Sequence, residues 1–443
     1  MIAPVLPGPR KVVSLVTSPA AGALVAQTWQ AAASFVLQVV AAHVLGASGL
    51  GLIALCLGVV VLTTAVTSGF VGDSLTVLDR RDSGIRAGLQ IWTAFLALVG
   101  PLTAAVVLDA TGVLTGTESV LFLAAATLFQ LEEVARRLLM ATLRFWRLVV
   151  VDSTALVVAL CVLVVTAATG AISLGTFLGG VALGQAAGLI VAVALAPADE
   201  RRLVSFRGAQ LRAVAAFGGW RGAQVAVNPS VFTGMRVLVV AALGTAALGQ
   251  LESARIFVAP AMLAVQGFGS YLLASYARDR SLPLSALLGR ARRSSMALAG
   301  AALAAGVALW ATTPVVGPWV TGGGFRMPAV AVLGWAVYAA ATATMQPFVS
   351  LAAARGRQRA ALWIRLADGS LSTVALAAAL TLGADGAYAP FALAVGPLVG
   401  GALTRVLVLV PMQRTGPGAA LGHTKTLVAP ARPDLRKAAQ HAR

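Results

Sequence analysis

Leu45-Gly46-Ala47-Ser48-Gly49-Leu50-Gly51 separates two long apolar runs, and its skeleton returns 198 residues later as Leu243-Gly244-Thr245-Ala246-Ala247-Leu248-Gly249. At the same offset Gly69-Phe70 falls on Gly267-Phe268, and Arg80 falls on Arg278. Each copy therefore spells a tight turn, an apolar helix, a small-residue end and a basic exit. Further along, an offset of 216 pairs Asp152 with Asp368, Gly180 with Gly396 and Gly184 with Gly400. A chain built twice in this way is expected to fold as two related halves.

Working outward from the turn, the 443 residues are 59% hydrophobic and 11% charged, with mean hydropathy +0.89. Soluble domains carry about a quarter charged residues, so a soluble enzyme is excluded. A bilayer crossing takes ~20 apolar residues, and the runs predict twelve transmembrane helices near 20–42, 50–76, 87–108, 119–141, 148–169, 174–196, 214–240, 248–276, 294–313, 327–352, 360–382 and 388–410. Cys56 and Cys161 fall inside apolar runs and are expected to be core residues rather than disulfide or zinc ligands. His43, His423 and His441 do not cluster, and none of Lys11, Lys425 and Lys437 completes a phosphate-binding loop.

Charge predicts the orientation. Of 33 Lys and Arg, 27 lie in segments 1–19, 77–86, 134–147, 198–213, 277–293, 353–359 and 411–443, while the opposite loops hold only Arg326. Basic short loops stay cytoplasmic, so both termini are expected there. The net charge of +18 then reads as a collar for anionic membrane lipids, with no nucleic acid as partner. Six spans per copy is an even number, so the copies enter the membrane in parallel, related by an axis along its normal. The expected division is 1–19 as a cytoplasmic segment, 20–197 as an N-lobe, 198–213 as a cytoplasmic linker, 214–412 as a C-lobe and 413–443 as a basic tail.

A charge at mid-bilayer costs at least ~2.5–3.5 kcal/mol and normally faces a partner or a water-filled cavity. The seventh span holds Arg221, Asn228 and Arg236 on one helical stripe, with the two arginines ~22 Å apart along the axis. The eighth adds Glu252 and Arg255, spaced for an ion pair. Permanently charged, planar guanidiniums suit phosphate oxygens, so Arg221, Asn228, Arg236 and Arg255 are the candidate substrate-binding set. Pro229 and Pro260 interrupt the same helices and are candidate hinges. Asp152, Glu252 and Asp368 are candidates for coupling or gating, with Arg147 and Arg365 as expected partners of the two aspartates. Asp73 is expected to join Arg80 and Arg81 at the inner interface.

The run Ala42-His43-Val44-Leu45-Gly46-Ala47-Ser48-Gly49-Leu50-Gly51-Leu52, its helix ending at Gly69-Phe70, the second copy, and Glu132-Glu133-Val134-Ala135-Arg136-Arg137 leading to Arg144 resemble the Wzx-type oligosaccharide flippases of the multidrug/oligosaccharidyl-lipid/polysaccharide (MOP) exporter superfamily. The resemblance covers about the first 410 residues. It implies an all-α, MATE-like pair of six-helix lobes in the cytoplasmic membrane that carries a polyprenyl-pyrophosphate-linked oligosaccharide outward by alternating access. It implies no resident cofactor, with H+ or Na+ as coupling ion, and a glycan polymerase or glycosyltransferases as partners. The competing expectations are a cation-coupled MATE-type multidrug exporter and, in another class, a membrane-embedded glycan polymerase or ligase. The polymerase or ligase would need catalytic groups on sizeable outer loops, and the outer loops here are short and poor in His, Asp and Glu.

Overall fold

The computed structural model describes residues 19–414 except 171, 203 and 280. The segment expected before residue 19 and the basic tail beyond 414 lie outside the described residues. Apolar runs long enough to close their own backbone hydrogen bonds fold as helices, because lipid offers the backbone no partner. The main elements are α1 (Pro19–Thr67), α2 (Asp73–Val77), α3 (Ser83–Ala110), α4 (Gly116–Ala141), α5 (Phe145–Thr169), α6 (Leu174–Leu195), α7 (Leu211–Arg278), α8 (Leu284–Thr321), α9 (Ala329–Ala354), α10 (Gln358–Thr381), α11 (Ala389–Leu403) and α12 (Val410–Arg414). Among the described residues there is no strand, and the chain is an all-α, multi-pass membrane protein with the expected pair of pseudo-symmetric lobes.

Two of these helices are doubles. α1 is bent at Gly46 (φ 65°, ψ −167°) and α7 at Gly244 (φ 84°, ψ 173°), so each supplies two spans and the total of twelve stands. The positive φ at both positions is one that side-chain-bearing residues rarely adopt. The arms are named α1a (19–45), α1b (from 47), α7a (211–243) and α7b (from 245). Among the described residues, eight helices are long and apolar enough to cross a membrane by length and composition; α4 and α10 fall short of that because of the charged residues they carry. The ends of the bundle are labelled outer and inner after the predicted charge orientation.

At the outer end the lobes meet around the pseudo-twofold axis. A Cβ on Gly51 would strike the carbonyl oxygen of Thr245, and one on Gly249 would strike that of Ala47. These contacts exchange under the same 198-residue shift, so the duplication seen in the sequence is present in space. Beside them His43 Nε2 donates to the carbonyl of Trp319 in α8 at 2.6 Å, another tie between the lobes.

At the inner end the symmetry is broken. Gly69 would place a Cβ 2.7 Å from the Arg221 carbonyl, and Phe70 lies against Gly218 and Gly222, so α1b and α7a are closely packed. The equivalent pair is α7b with α1a, and it is open. Gly267 has nothing within 4 Å of its Cβ position, Phe268 and Leu24 are exposed, and Gly22 packs instead on Trp146 of its own lobe. A gap between α1a and α7b follows at the inner half.

The linker is strapped to the inner end of α3. Arg80 pairs with Glu200 at 2.7 Å, Arg86 donates to the carbonyls of Asp199 and Arg202, and Gln210 N donates to Gly84 O. Arg80, Arg86, Asp199 and Glu200 line a crevice of about 500 Å³, in which Arg80 and Arg86 are held by the linker and Arg144 by the Leu195 carbonyl.

Several expectations change. The ninth span is longer than predicted, because α8 continues inward past Arg290, which pairs with Asp279 at 2.8 Å and lies over the Tyr276 ring. Hydrogen bonding to Arg290, and secondarily to Arg278, holds the Asp279 carboxyl below the ordinary aspartate range. Cys56 is buried as expected, but Cys161 is exposed on α5; apolar surface facing lipid gains nothing from burial, so an apolar run alone does not mark a core. The backbone stays helical through Pro229 and Pro260, and the non-helical residue in α7 is Gly244.

Candidate functional site

Across the middle of the lobe interface runs a polar bridge. Glu252, 0% exposed, accepts from Arg236 Nε at 2.8 Å through one oxygen and from Arg255 Nε at 2.5 Å through the other. Arg255 then reaches across the lobes, donating through Nη2 to Gln38 Oε1 of α1a at 3.0 Å. Gln38 is itself oriented by donating to the carbonyl and hydroxyl of Ser34. On the other side a Cβ on Gly58 of α1b would lie 2.8 Å from Arg236 Nη1, and Thr233 Oγ1 donates to the Gly58 carbonyl at 2.9 Å.

Helix geometry explains the convergence. Gln38 and Arg236 each lie eight residues before the glycine bend of their helix, and Glu252 lies eight after. At 1.5 Å per residue all three sit ~12 Å below the outer turn, and the i,i+3 step brings Arg255 onto the face of Glu252. Gln38 and Arg236 are themselves related by the repeat offset. Among the described residues, the charged groups bearing on Arg236 are Glu252 and Arg255. Two guanidiniums therefore share one carboxylate, and the bridge carries one unmatched positive charge inside the membrane.

Of the predicted binding set, the structure brings Arg236 and Arg255 together and leaves Arg221 and Asn228 apart from them. Arg221 lies in the inner half of α7a, where it pairs with Asp73 of α2 at 2.6 Å and bonds Gln224. This replaces the expected partnership of Asp73 with Arg80 and Arg81, because close packing of α1b on α7a delivers Asp73 to Arg221 first. Asn228 has an exposed side chain.

The predicted acids form separate groups. In the N-lobe Asp152, 6% exposed, pairs with Arg136 at 3.3 Å rather than with Arg147, whose guanidinium is tied to the Leu195 carbonyl. Glu133 bridges Arg136 and Arg137 and accepts from Ser68. Glu132, 4% exposed, is the third carboxylate here, close under Gly188. The group thus holds three acids and two arginines. In the C-lobe no ion pair reaches Asp368 among the described residues; its neighbours are Gly396, Gly400 and Ser372, while Arg365 donates to Gln346 at 3.4 Å.

Gln38 was not among the residues singled out from sequence. With Gln27, Gln30 and Ser34 it makes a polar stripe on α1a, and a search for charges passes over it because none of the four is ionised. The signal was available, since an offset of 198 from Arg236 lands on Gln38.

The fold is that of MATE transporters. It superposes on an inward-facing multidrug-resistance MATE family transporter of the MOP superfamily with a TM-score of 0.66 at 12% identity, covering 87% of this chain and 96% of that one. It also matches an Asp-to-Asn variant of the Vibrio cholerae MATE transporter VcmN, at 0.58 and 16%, covering 92% and 99%. A third likeness is to a MOP superfamily transporter from Pyrococcus furiosus, described as having a binding pocket of reverse polarity, at 0.54 and 13%, covering 87% and 92%. No protein-family model and no curated protein matches the chain.

Proposed function

We propose that this protein is a transporter that carries the acidic head of a lipid-linked oligosaccharide, a polyprenyl-pyrophosphate glycan, from the inner to the outer leaflet of the cytoplasmic membrane by alternating access. The observation that carries the reading is the unmatched guanidinium charge of the Arg236–Glu252–Arg255 bridge, which an anionic ligand would balance at the lobe interface. The gap between α1a and α7b supports a lipid cargo: the head enters between the lobes while its tail stays in the bilayer. The transporter fold of the structural neighbours supports transport over catalysis, and no covalent step is required. Both termini and the basic inner end face the cytoplasm and its anionic lipids in this reading, and glycan polymerase and glycosyltransferases are the natural partners.

Arg236 and Arg255 form the head site. Arg221, held by Asp73, and Asn228 lie toward the inner end of α7a, apart from the head site, and Asp152 or Asp368 serves as the H+ or Na+ coupling group. Glu252, accepting from both guanidiniums, holds the arginines in place. A second reading, a cation-coupled multidrug exporter, is favoured by one observation, the acid-rich Glu132–Glu133–Asp152 group of the N-lobe. Fold does not decide between them, since cargo is set by the site.

The deciding experiment is reconstitution into liposomes with a fluorescent polyprenyl-pyrophosphate sugar in one assay and an organic cation dye in another. Translocation of the lipid that falls at least about tenfold in Arg255→Gln, equivalent to about 1.4 kcal/mol, supports the flippase. Dye transport without lipid movement supports the exporter.

A further inference from the structure

The Arg255–Gln38 contact sits where a cargo head would arrive, and it is also a tie between the lobes. We propose that it is a latch which the cargo itself releases. The inference rests on the reading of Arg236 and Arg255 as an anion site and adds how occupation of that site is transmitted to the outer end.

The physical basis is a ranking of acceptors. Arg255 has two partners: the carboxylate of Glu252 and the neutral amide oxygen of Gln38. Both bonds have an ionised donor, but only the carboxylate adds an opposite charge, so the Arg–Gln bond lacks the ion-pair attraction and is the weaker of the two. Glu252 is fully buried and clamped by two guanidiniums, so an incoming phosphate exchanges with the weaker acceptor, Gln38. Arg255 is the right arginine for this exchange because its side chain is 21% exposed, against 9% for that of Arg236.

Once Arg255 turns to the phosphate, α1a loses its hydrogen bond to α7b. What remains nearby is the close approach of Gly51 and Gly249 to opposing carbonyls, the Thr233–Gly58 bond and the His43–Trp319 bond. An empty protein stays latched at the outer end, and a loaded one is released. Gln38 is in this account a positioning residue for the transition, and Glu252 the fixed counter-ion that keeps both arginines aimed at the interface.

The test uses the full chain in lipid nanodiscs, with Cys161 replaced by Ser and spin labels at exposed outer positions of opposite lobes, Thr111 and Leu382. Farnesyl pyrophosphate is the probe and farnesol the uncharged control. Wild type is expected to lengthen its outer distance with farnesyl pyrophosphate and not with farnesol. Gln38→Leu is expected to raise the open-to-closed ratio without ligand by about tenfold, which is about 1.4 kcal/mol, while still binding the probe. Gln38→Glu supplies an ionised acceptor, so it should hold the outer end shut and resist the probe.

Because the two variants have opposite expected signs, a fold defect cannot mimic both. A ligand-free distribution unchanged by Gln38→Leu, with a normal response in Gln38→Glu, overturns the latch even if wild type binds the probe. Wild type binding farnesyl pyrophosphate no more tightly than farnesol overturns the anion site and release by the cargo. In that case the two Gln38 variants still report, without ligand, whether the contact restrains the lobes.

Discussion

Glu252→Gln is the sharpest test of the bridge. The carboxylate is 0% exposed and accepts one short hydrogen bond from each of two guanidiniums. The amide keeps the shape but has a single acceptor oxygen, so its NH2 must point at one of the arginine donors. Two cations then face each other with no counter-charge. Breaking a buried pair by removing one partner typically costs about 3–5 kcal/mol, and leaving a second guanidinium uncompensated places the expectation at the upper half of that range. The assay is reversible unfolding in mixed micelles, run as a double-mutant cycle with Arg236→Gln. If the pair interacts as the structure has it, Arg236→Gln costs much less in the Glu252→Gln background than alone, because the arginine has already lost its partner. A Glu252→Gln cost below about 1 kcal/mol, or additive effects in the cycle, refutes the reasoning that Glu252 is the counter-ion of the interface.

Four further outcomes are expected. Gly249→Ala forces a methyl onto the Ala47 carbonyl; since backbone cannot yield cheaply, the outer end should spread, read as increased labelling of a cysteine introduced at Ala47, and unchanged labelling argues against the contact. Cysteines at Leu24 and Phe268 should resist disulfide formation, whereas a pair at Val66 and Gly222 should cross-link readily, since Gly222 lies 3.1 Å from the Val66 carbonyl at its Cβ position; equal rates would dismiss the inner gap. Asp152→Asn should abolish ion-gradient-driven transport while sparing cargo exchange, and loss of both would make Asp152 a structural partner of Arg136 only. Because the Asp279 pKa is lowered by Arg290 and Arg278, its contribution to stability is present above the ordinary aspartate value near pH 4 and is lost as pH falls through the lowered value; Asp279→Asn should therefore flatten the acid limb of the stability profile, and an unaltered limb contradicts the pairing.

The fold was legible because lipid removes most alternatives. Runs of apolar residues can only be helices there, and the bends at Gly46 and Gly244 were visible as turn residues recurring at a fixed spacing. The site was legible only in part. Arg236, Glu252 and Arg255 stood out because charge in an apolar helix is costly, and the i,i+3 step of Glu252 and Arg255 predicted their pairing. What the sequence did not disclose is which partner wins. Arg147 lies in the same helix as Asp152, yet Arg136 from another helix takes the carboxylate, because α4 and α5 both pack on α6, which brings Arg136 to Asp152 while Arg147 is tied to the Leu195 carbonyl at the end of α6. Asp73 likewise goes to Arg221 through the inter-lobe packing that no spacing within one helix encodes.

The two repeats divide the charge between them, and the division bears on mechanism. In the first copy the positions equivalent to Arg236, Glu252 and Arg255 are Gln38, Ala54 and Leu57. Conversely α4 carries Glu132, Glu133, Arg136 and Arg137, whereas α9, its counterpart in the second copy, carries no charged residue. The backbone has kept its pseudo-twofold relation at the outer contact while the side chains have not. A symmetric pair of sites would offer cargo and ion the same environment in both halves. Here the surplus positive charge lies at the lobe interface and the surplus of acids lies inside the N-lobe, so the proposed anionic head and coupling cation would be drawn to different places. The contact that joins them in sequence is Gln38: the one neutral member of the repeat-related pair is the one that touches Arg255, and it belongs to the helix whose inner half stands away from α7b. In the proposed flippase a head that displaces Gln38 acts on α1a, whose inner half stands away from α7b, which is where a small gain in binding energy can become movement of a lobe.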